Sequence, residues 1–292
     1  MSALESTYRR LLRTYPPTYR REHGEELLGT LLEASAGRRS PSLRETAGLI
    51  GGGFTARVRA VTHHPMSWWA DGLHLGILLI ALANLAMDLA YAYPQPWNGY
   101  TPWVIGSLVL TVALVRGWLW VALPLALALA FPTVGGPLLG TGLRGVLAAH
   151  GPVYAGPQTW FLVVQYLTMT VGLIALALRP SRELRRRSYG WLVIPLAVWA
   201  STHTYTSMTW TVRPILEILM LAAGVWATAA ARDLRWLMAA LIFVPASIGP
   251  DTAVALVGSG SPTPDATVTW GIEVGLTMVI GLMALRTRRP QA

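Results

Sequence analysis

Residues 72–91 read GLHLGILLIALANLAMDLAY, an apolar run that holds one carboxylate, Asp88, one histidine, His74, and one carboxamide, Asn84. As an α-helix this run rises about 30 Å, the depth of a bilayer's hydrocarbon core. Seven further apolar stretches follow it. The spans they predict are residues 72–91, 100–115, 118–134, 158–178, 190–208, 214–231, 234–249 and 268–285. Two of the turns between them, at Arg116 and at Arg232 to Arg235, are short and join brief spans, so six spans are the alternative.

The charges give this bundle an orientation. All 23 basic residues are arginine. If the chain starts inside, Arg116, Arg179, Arg182, Arg185, Arg186, Arg187, Arg232, Arg235, Arg286, Arg288 and Arg289 join the arginines of residues 1–64 on the cytoplasmic side. Only Arg144 and Arg213 are left outside. An excess of arginine in inner loops is the usual determinant of topology, so both termini are expected in the cytoplasm of a cell-membrane protein. Trp68, Trp69, Trp103, Trp118, Trp160, Trp191, Trp210, Trp236 and Trp270 fall near predicted span ends, as an interfacial aromatic belt requires.

Composition narrows the function classes. A chain of 292 residues that is 53% hydrophobic and 13% charged is not a large soluble enzyme. Its basicity follows the membrane boundaries and needs no polyanionic partner. The absence of cysteine excludes disulfides and thiolate metal sites, and the absence of lysine excludes a Walker A or Schiff-base lysine. No zincin-type spacing occurs, so neither a metal, a cofactor nor an enzymatic activity is expected. The first 60 residues contain no signal-peptide h-region.

Residues 1–64 differ from the rest and read as a small cytoplasmic domain of three helices, with the bundle as residues 65–292. Leu4, Tyr8, Leu11, Leu12 and Tyr15 recur at helical spacing, and Pro16-Pro17 ends that helix and opens the next. Tyr19, Leu27, Leu28, Leu31 and Leu32 form the stripe of the second helix, which is expected to end near Gly37. Ser42 and Glu45 have capping-box spacing, and Leu43, Ala47, Ile50, Phe54, Val58 and Val61 are the predicted apolar face of the third. Gly51-Gly52-Gly53 is expected to interrupt that helix as a hinge. A core this small leaves a partner or self-association open. Glu22, Glu25, Glu26 and Glu33 on the second helix argue against direct nucleic-acid binding, while basic residues beside a bilayer suit anionic lipid.

The strings Tyr8-Arg9-Arg10-Leu11-Leu12-Arg13, Tyr15-Pro16, Tyr19 through Leu27 and Gly37 through Glu45 resemble the HTH-associated alpha-helical signalling (HAAS) domain that heads many actinobacterial membrane proteins. The resemblance covers the first 60 residues or so. It implies a transmembrane sensor that communicates with a cytoplasmic winged-helix regulator of the PadR type. Tyr8, Arg9, Leu12, Tyr15, Tyr19, Arg20, Glu25 and Glu26 are the candidate partner-binding residues.

Within the bundle, Pro132 to Pro137 and Pro245 to Pro250 share a P-x-x-x-G-P pattern and are expected to end the third and seventh spans. Thr159-Trp160 likewise matches Thr269-Trp270. These echoes predict a parallel repeat of four plus four helices, with a ligand site in the crevice between the halves. Ionisable residues in hydrocarbon need partners or a cavity, so Asn84, Asp88, His203, Arg213, Glu217 and Glu273 form a candidate outer-leaflet polar pocket, with Arg213 and Glu217 spaced for an ion pair. Asp71 and His74 sit at the inner mouth of the first span, where they could couple head to bundle or cap a helix. The chain is therefore expected to be an all-α, polytopic membrane signalling protein; a permease or transporter subunit is the alternative.

Overall fold

The computed structural model describes residues 3–35, 38, 40–62, 67–92, 101–138, 158–180, 184–204, 209–231, 234–257 and 264–288. Among them every regular element is helical: α1 (Ala3–Leu12), α2 (Pro17–Ala34), α3 (Leu43–Thr62), α4 (Trp68–Ala92), α5 (Thr101–Arg116), α6 (Leu119–Leu138), α7 (Gln158–Ala177), a 3-10 turn (Tyr189–Leu192), α8 (Val193–Thr204), α9 (Thr209–Ala231), α10 (Arg235–Val257) and α11 (Pro264–Arg288). The chain divides into two compact units, Met1–Pro65 with Trp226–Asp233, and Met66–Val225 with Leu234–Ala292. The segment 226–233, expected in the bundle, thus groups with the first unit.

The first unit is built on its own core of Leu4, Tyr8, Leu12, Tyr15, Leu28 and Leu49. Pro16 caps α2 and Pro17 occupies its first turn, where a missing N–H costs nothing. The helix ends at Ala34, ahead of Gly37. At the start of α3 the expected capping box is present: Ser42 N–H donates to Glu45 Oε2 at 3.0 Å and Glu45 N–H to Ser42 Oγ at 3.2 Å. Tyr8 is fully buried, and its hydroxyl bridges Ser35 Oγ (2.8 Å) and Glu45 Oε2 (3.2 Å), tying the end of α2 to the start of α3.

Two expectations for α3 fail for one reason. The helix runs unbroken through Gly51-Gly52-Gly53, and it turns Leu43, Ala47 and Phe54 outward and half-buries Ile50 while Leu49 and Gly53 face the core; the Val58 and Val61 side chains lie outside the described ones. A β-carbon on Gly53 would stand 2.8 Å from Thr14 Cβ, and one on Gly52 would collide with the Tyr15 hydroxyl. These glycines let α3 close onto the α1–α2 turn; they are contact surface, not a hinge. One turn on, the Arg57 guanidinium donates to the Arg13 carbonyl at 2.8 Å and to the Thr14 carbonyl, satisfying backbone acceptors just past the end of α1.

In the second unit α4 is the central helix, packed on by α5, α7, α8 and α10. Its closest neighbour is α10. A β-carbon on Gly72 would lie 2.6 Å from Met238 Cβ and 2.8 Å from the Arg235 carbonyl oxygen, and one on Gly76 would lie 3.0 Å from Ile242 Cβ. Small residues one turn apart allow two backbones to approach in this way. On another side, a β-carbon on Gly172 of α7 would meet Ile77 and Leu73 of α4. Gly117 ends α5 with φ 73, and the bonds Trp118 N–H to Ala113 O (2.8 Å) and Gly117 N–H to Leu114 O (3.1 Å) form a Schellman motif that turns the chain into α6 within two residues.

Each of the eight predicted apolar stretches contains a helix, with residues 100 and 205–208 outside the described ones, but the helix lengths differ from expectation. The prolines at 132 and 245 do not end their helices, since α6 continues to Leu138 and α10 to Val257. Among the described residues, two helices are long and apolar enough to cross a membrane by length and composition, Trp68–Leu89 and Thr267–Arg286, and six others offer shorter apolar windows. Nor do the two halves pack alike. The helices α4, α5, α6 and α7 close a ring, whereas α8 and α10 pack onto α4, and α11 packs on α10.

Candidate functional site

Asn84 and Asp88 lie one turn apart on α4, both buried. Across from them on α5, the Ser107 hydroxyl donates to the Asp88 carboxylate, and Thr111, one turn along, donates to the Ser107 carbonyl at 2.7 Å. Tyr166 of α7 lies beside the same pair. Gln165, its neighbour in sequence, is wholly buried. Neither amide atom of Asn84 or of Gln165 has a hydrogen-bond partner, nor does the buried Ser247 hydroxyl of α10. Asn84, Asp88, Ser107, Thr111 and Tyr166 thus form a layer of polar side chains on α4, α5 and α7 within an apolar core. Its donors are one carboxylate, hydroxyls and the Asn84 carboxamide, and among the described residues no three His, Cys, Asp or Glu side chains cluster as a transition metal or divalent cation would require.

Of the six residues expected to form this pocket, the structure places Asn84 and Asp88 together. Glu217 and Glu273 are buried as well, but on α9 and α11, which are not among the helices packed closely on α4. His203 falls on α8 and Arg213 on α9, with side chains outside the described ones, and so does the expected Arg213 to Glu217 pair. Ser107, Thr111, Gln165 and Tyr166 went unrecognised in the sequence, because a neutral polar residue in an apolar helix carries no signal until its neighbours are known.

A second polar centre lies at the other end of α4. Asp71 is almost wholly buried and meets three arginines: Arg187 at 2.5 Å, Arg235 at 2.7 Å and Arg185 at 3.5 Å. Arg187 also donates to the Asp71 carbonyl at 3.0 Å, and its own N–H donates to the Val115 carbonyl at 2.7 Å. His74, one turn along α4, is fully buried with Nε2 at 2.9 Å from the Leu114 carbonyl. Around this centre Arg116 lies over the Trp118 and Tyr189 rings and Arg179 over Trp69. Asp71 therefore does more than cap a helix: it joins the start of α4, the segment before the 3-10 turn and the start of α10.

In the head, the structure divides the candidate partner-binding residues. Tyr8, Leu12 and Tyr15 belong to the core, where they hold α1 against α2 and α3. Tyr19 and Arg20 are half-buried, and Tyr19 stacks on Tyr15 with ring centroids 5.2 Å apart. Burial, followed by the neighbouring Tyr19, raises the Tyr15 pKa above the usual phenol value. Arg9, Glu25 and Glu26 face solvent; Arg9 pairs with Glu25 at 2.8 Å and with Glu5 at 3.2 Å. The exposed apolar surface of the head is instead on α3, at Leu43 and Phe54.

Comparison with known protein families, curated proteins and solved structures gives no match for this chain.

Proposed function

We propose that this chain is an integral membrane signalling protein whose helical bundle senses a stimulus in the cell membrane and whose cytoplasmic head acts on a winged-helix transcription regulator of the PadR type. One observation carries the membrane part. From Trp68 onward, large apolar side chains such as Ile105, Trp120, Phe131, Val171, Met278 and Leu282 are exposed, while Asp71, Asn84, Asp88, Gln165, Glu217 and Glu273 are inside. Water selects the opposite arrangement and lipid selects this one. Eight crossings with both termini cytoplasmic agree with the arginine distribution.

The signalling part rests on the head. It is a separately cored three-helix unit, and its sequence resembles the HAAS domain. A stimulus acts on such a protein only by binding two arrangements of the bundle with different affinity. Termini reporters on intact cells test the topology, and capture of a cytosolic winged-helix regulator by the full chain in nanodiscs tests the partner. A chain that captures no such regulator, with or without its head surface altered at Arg9, Glu25 and Glu26, sinks the signalling reading.

The polar layer favours a second reading, a small permease. Ion or solute flux into proteoliposomes that Asp88→Asn abolishes would favour it over signalling.

A further inference from the structure

We propose that the layer formed by Asn84, Asp88, Ser107 and Tyr166 is a binding site for a monovalent cation. Asn84 buries both of its carboxamide atoms with no protein partner. Ordinarily each such atom costs about 1–3 kcal/mol, so a buried guest that supplies partners is favoured strongly over none. The chemistry of the layer selects among guests. An apolar ligand leaves the carboxamide unsatisfied. An anion is repelled by Asp88. A divalent cation calls for more carboxylates, and Asp88 is the carboxylate that this layer offers among the described side chains. One negative charge surrounded by neutral oxygens matches one positive charge.

The geometry is suited to such an ion. Asp88 and Asn84 are a turn apart on α4, Ser107 reaches Asp88 from α5, and Tyr166 of α7 flanks Ser107 and Asp88. Three helices thus contribute oxygens that can replace part of a hydration shell. The carboxamide N–H groups then donate to the water that the ion keeps. Because α4, α5 and α7 all hold ligands, occupancy changes how tightly these helices pack. In the membrane-sensor reading this makes the cation the stimulus, and to that extent the inference rests on that reading. The binding step is tested without any regulator, so the two fail separately.

The test is thermal unfolding of the full chain in nanodiscs, followed by tryptophan fluorescence, in sodium chloride, potassium chloride or N-methyl-D-glucamine chloride at equal ionic strength. A bound cation raises Tm by mass action, and the expected shift is about 2–4 °C in one alkali salt relative to the organic cation. Asp88→Asn and Asn84→Leu should each erase the difference between salts; Arg10→Gln in the head should keep it. If either variant loses its helical circular dichroism, Ser107→Ala serves in its place. Equal Tm of the wild type in all three salts overturns the proposal, as does a salt difference that survives these substitutions. A wild type that follows pH but not cation identity makes Asp88 a proton site and also overturns it.

Discussion

Asp71 and Arg235 stand 164 positions apart in the chain, and their side chains meet at 2.7 Å in the interior of the bundle. Arg187 reaches the same carboxylate from the segment before the 3-10 turn. Removing one partner of a buried ion pair leaves the others uncompensated, at a typical cost of about 3–5 kcal/mol. Asp71→Asn is therefore expected to lower the unfolding free energy of the full chain in detergent by that order. Arg185→Gln should cost the least of the three arginine changes, because its contact is the longest at 3.5 Å. Chemical denaturation of the four single variants ranks them.

The triple glycine of α3 makes opposite predictions at adjacent positions. Gly51 has nothing within 4 Å of a built β-carbon, so Gly51→Ala should stabilise by about 0.5–1 kcal/mol through its effect on the unfolded chain. Gly53→Ala meets Thr14 Cβ at 2.8 Å and should destabilise by about 1–3 kcal/mol. Proteolytic susceptibility of the head in the two variants separates a contact from a hinge, since a true hinge would treat both substitutions alike.

The same run shows what can be read in the sequence and what cannot. The cores of α1 and α2 were legible because Leu4, Tyr8, Leu12 and Tyr15 repeat at local helical spacing and Pro16-Pro17 punctuates them. So was the Ser42 and Glu45 box, which spans three residues. The buried face of α3 was misread because close approach to the α1–α2 turn selects glycine, which a search for large apolar residues passes over. At the bundle sites, Asp88 and Asn84 stood out as expensive residues in hydrocarbon. Their partner Ser107 and the neighbour Tyr166 did not, and neither did the meeting of Asp71 with Arg187, since all of these depend on which helices become neighbours.

Acid should loosen the head through Glu45. The Ser42 backbone amide, then the Arg38 guanidinium and the Tyr8 hydroxyl, hold its carboxyl below the ordinary value of 4.5, against the opposing effect of burial. A carboxylate with a depressed folded pKa contributes stability fully above its unfolded pKa and loses it as pH falls through the folded one. Hydrogen exchange across residues 43–62 should therefore quicken below about pH 4.5 in the wild type, beyond the intrinsic pH effect. In Glu45→Gln the additional acid dependence from this residue should be absent.

Tyr8 separates packing from hydrogen bonding. Tyr8→Phe removes the hydroxyl that joins Ser35 and Glu45 and should cost about 1–2 kcal/mol, leaving the head folded. Tyr8→Ala also opens a cavity beneath α1 and should cost about 3–5 kcal/mol, enough to unfold a core this small. Comparing head amide protection in the two variants checks the difference.

The close seam between α4 and α10, with Gly72 and Gly76 along it and the Asp71 to Arg235 bond at its end, leaves little room for those two helices to slide or turn against each other. They make a single axle. Whatever conformational change the bundle undergoes, the freedom belongs to the helices arranged around that axle, so crosslinking α4 to α10 should spare any such change while crosslinking α4 to α5 should restrict it.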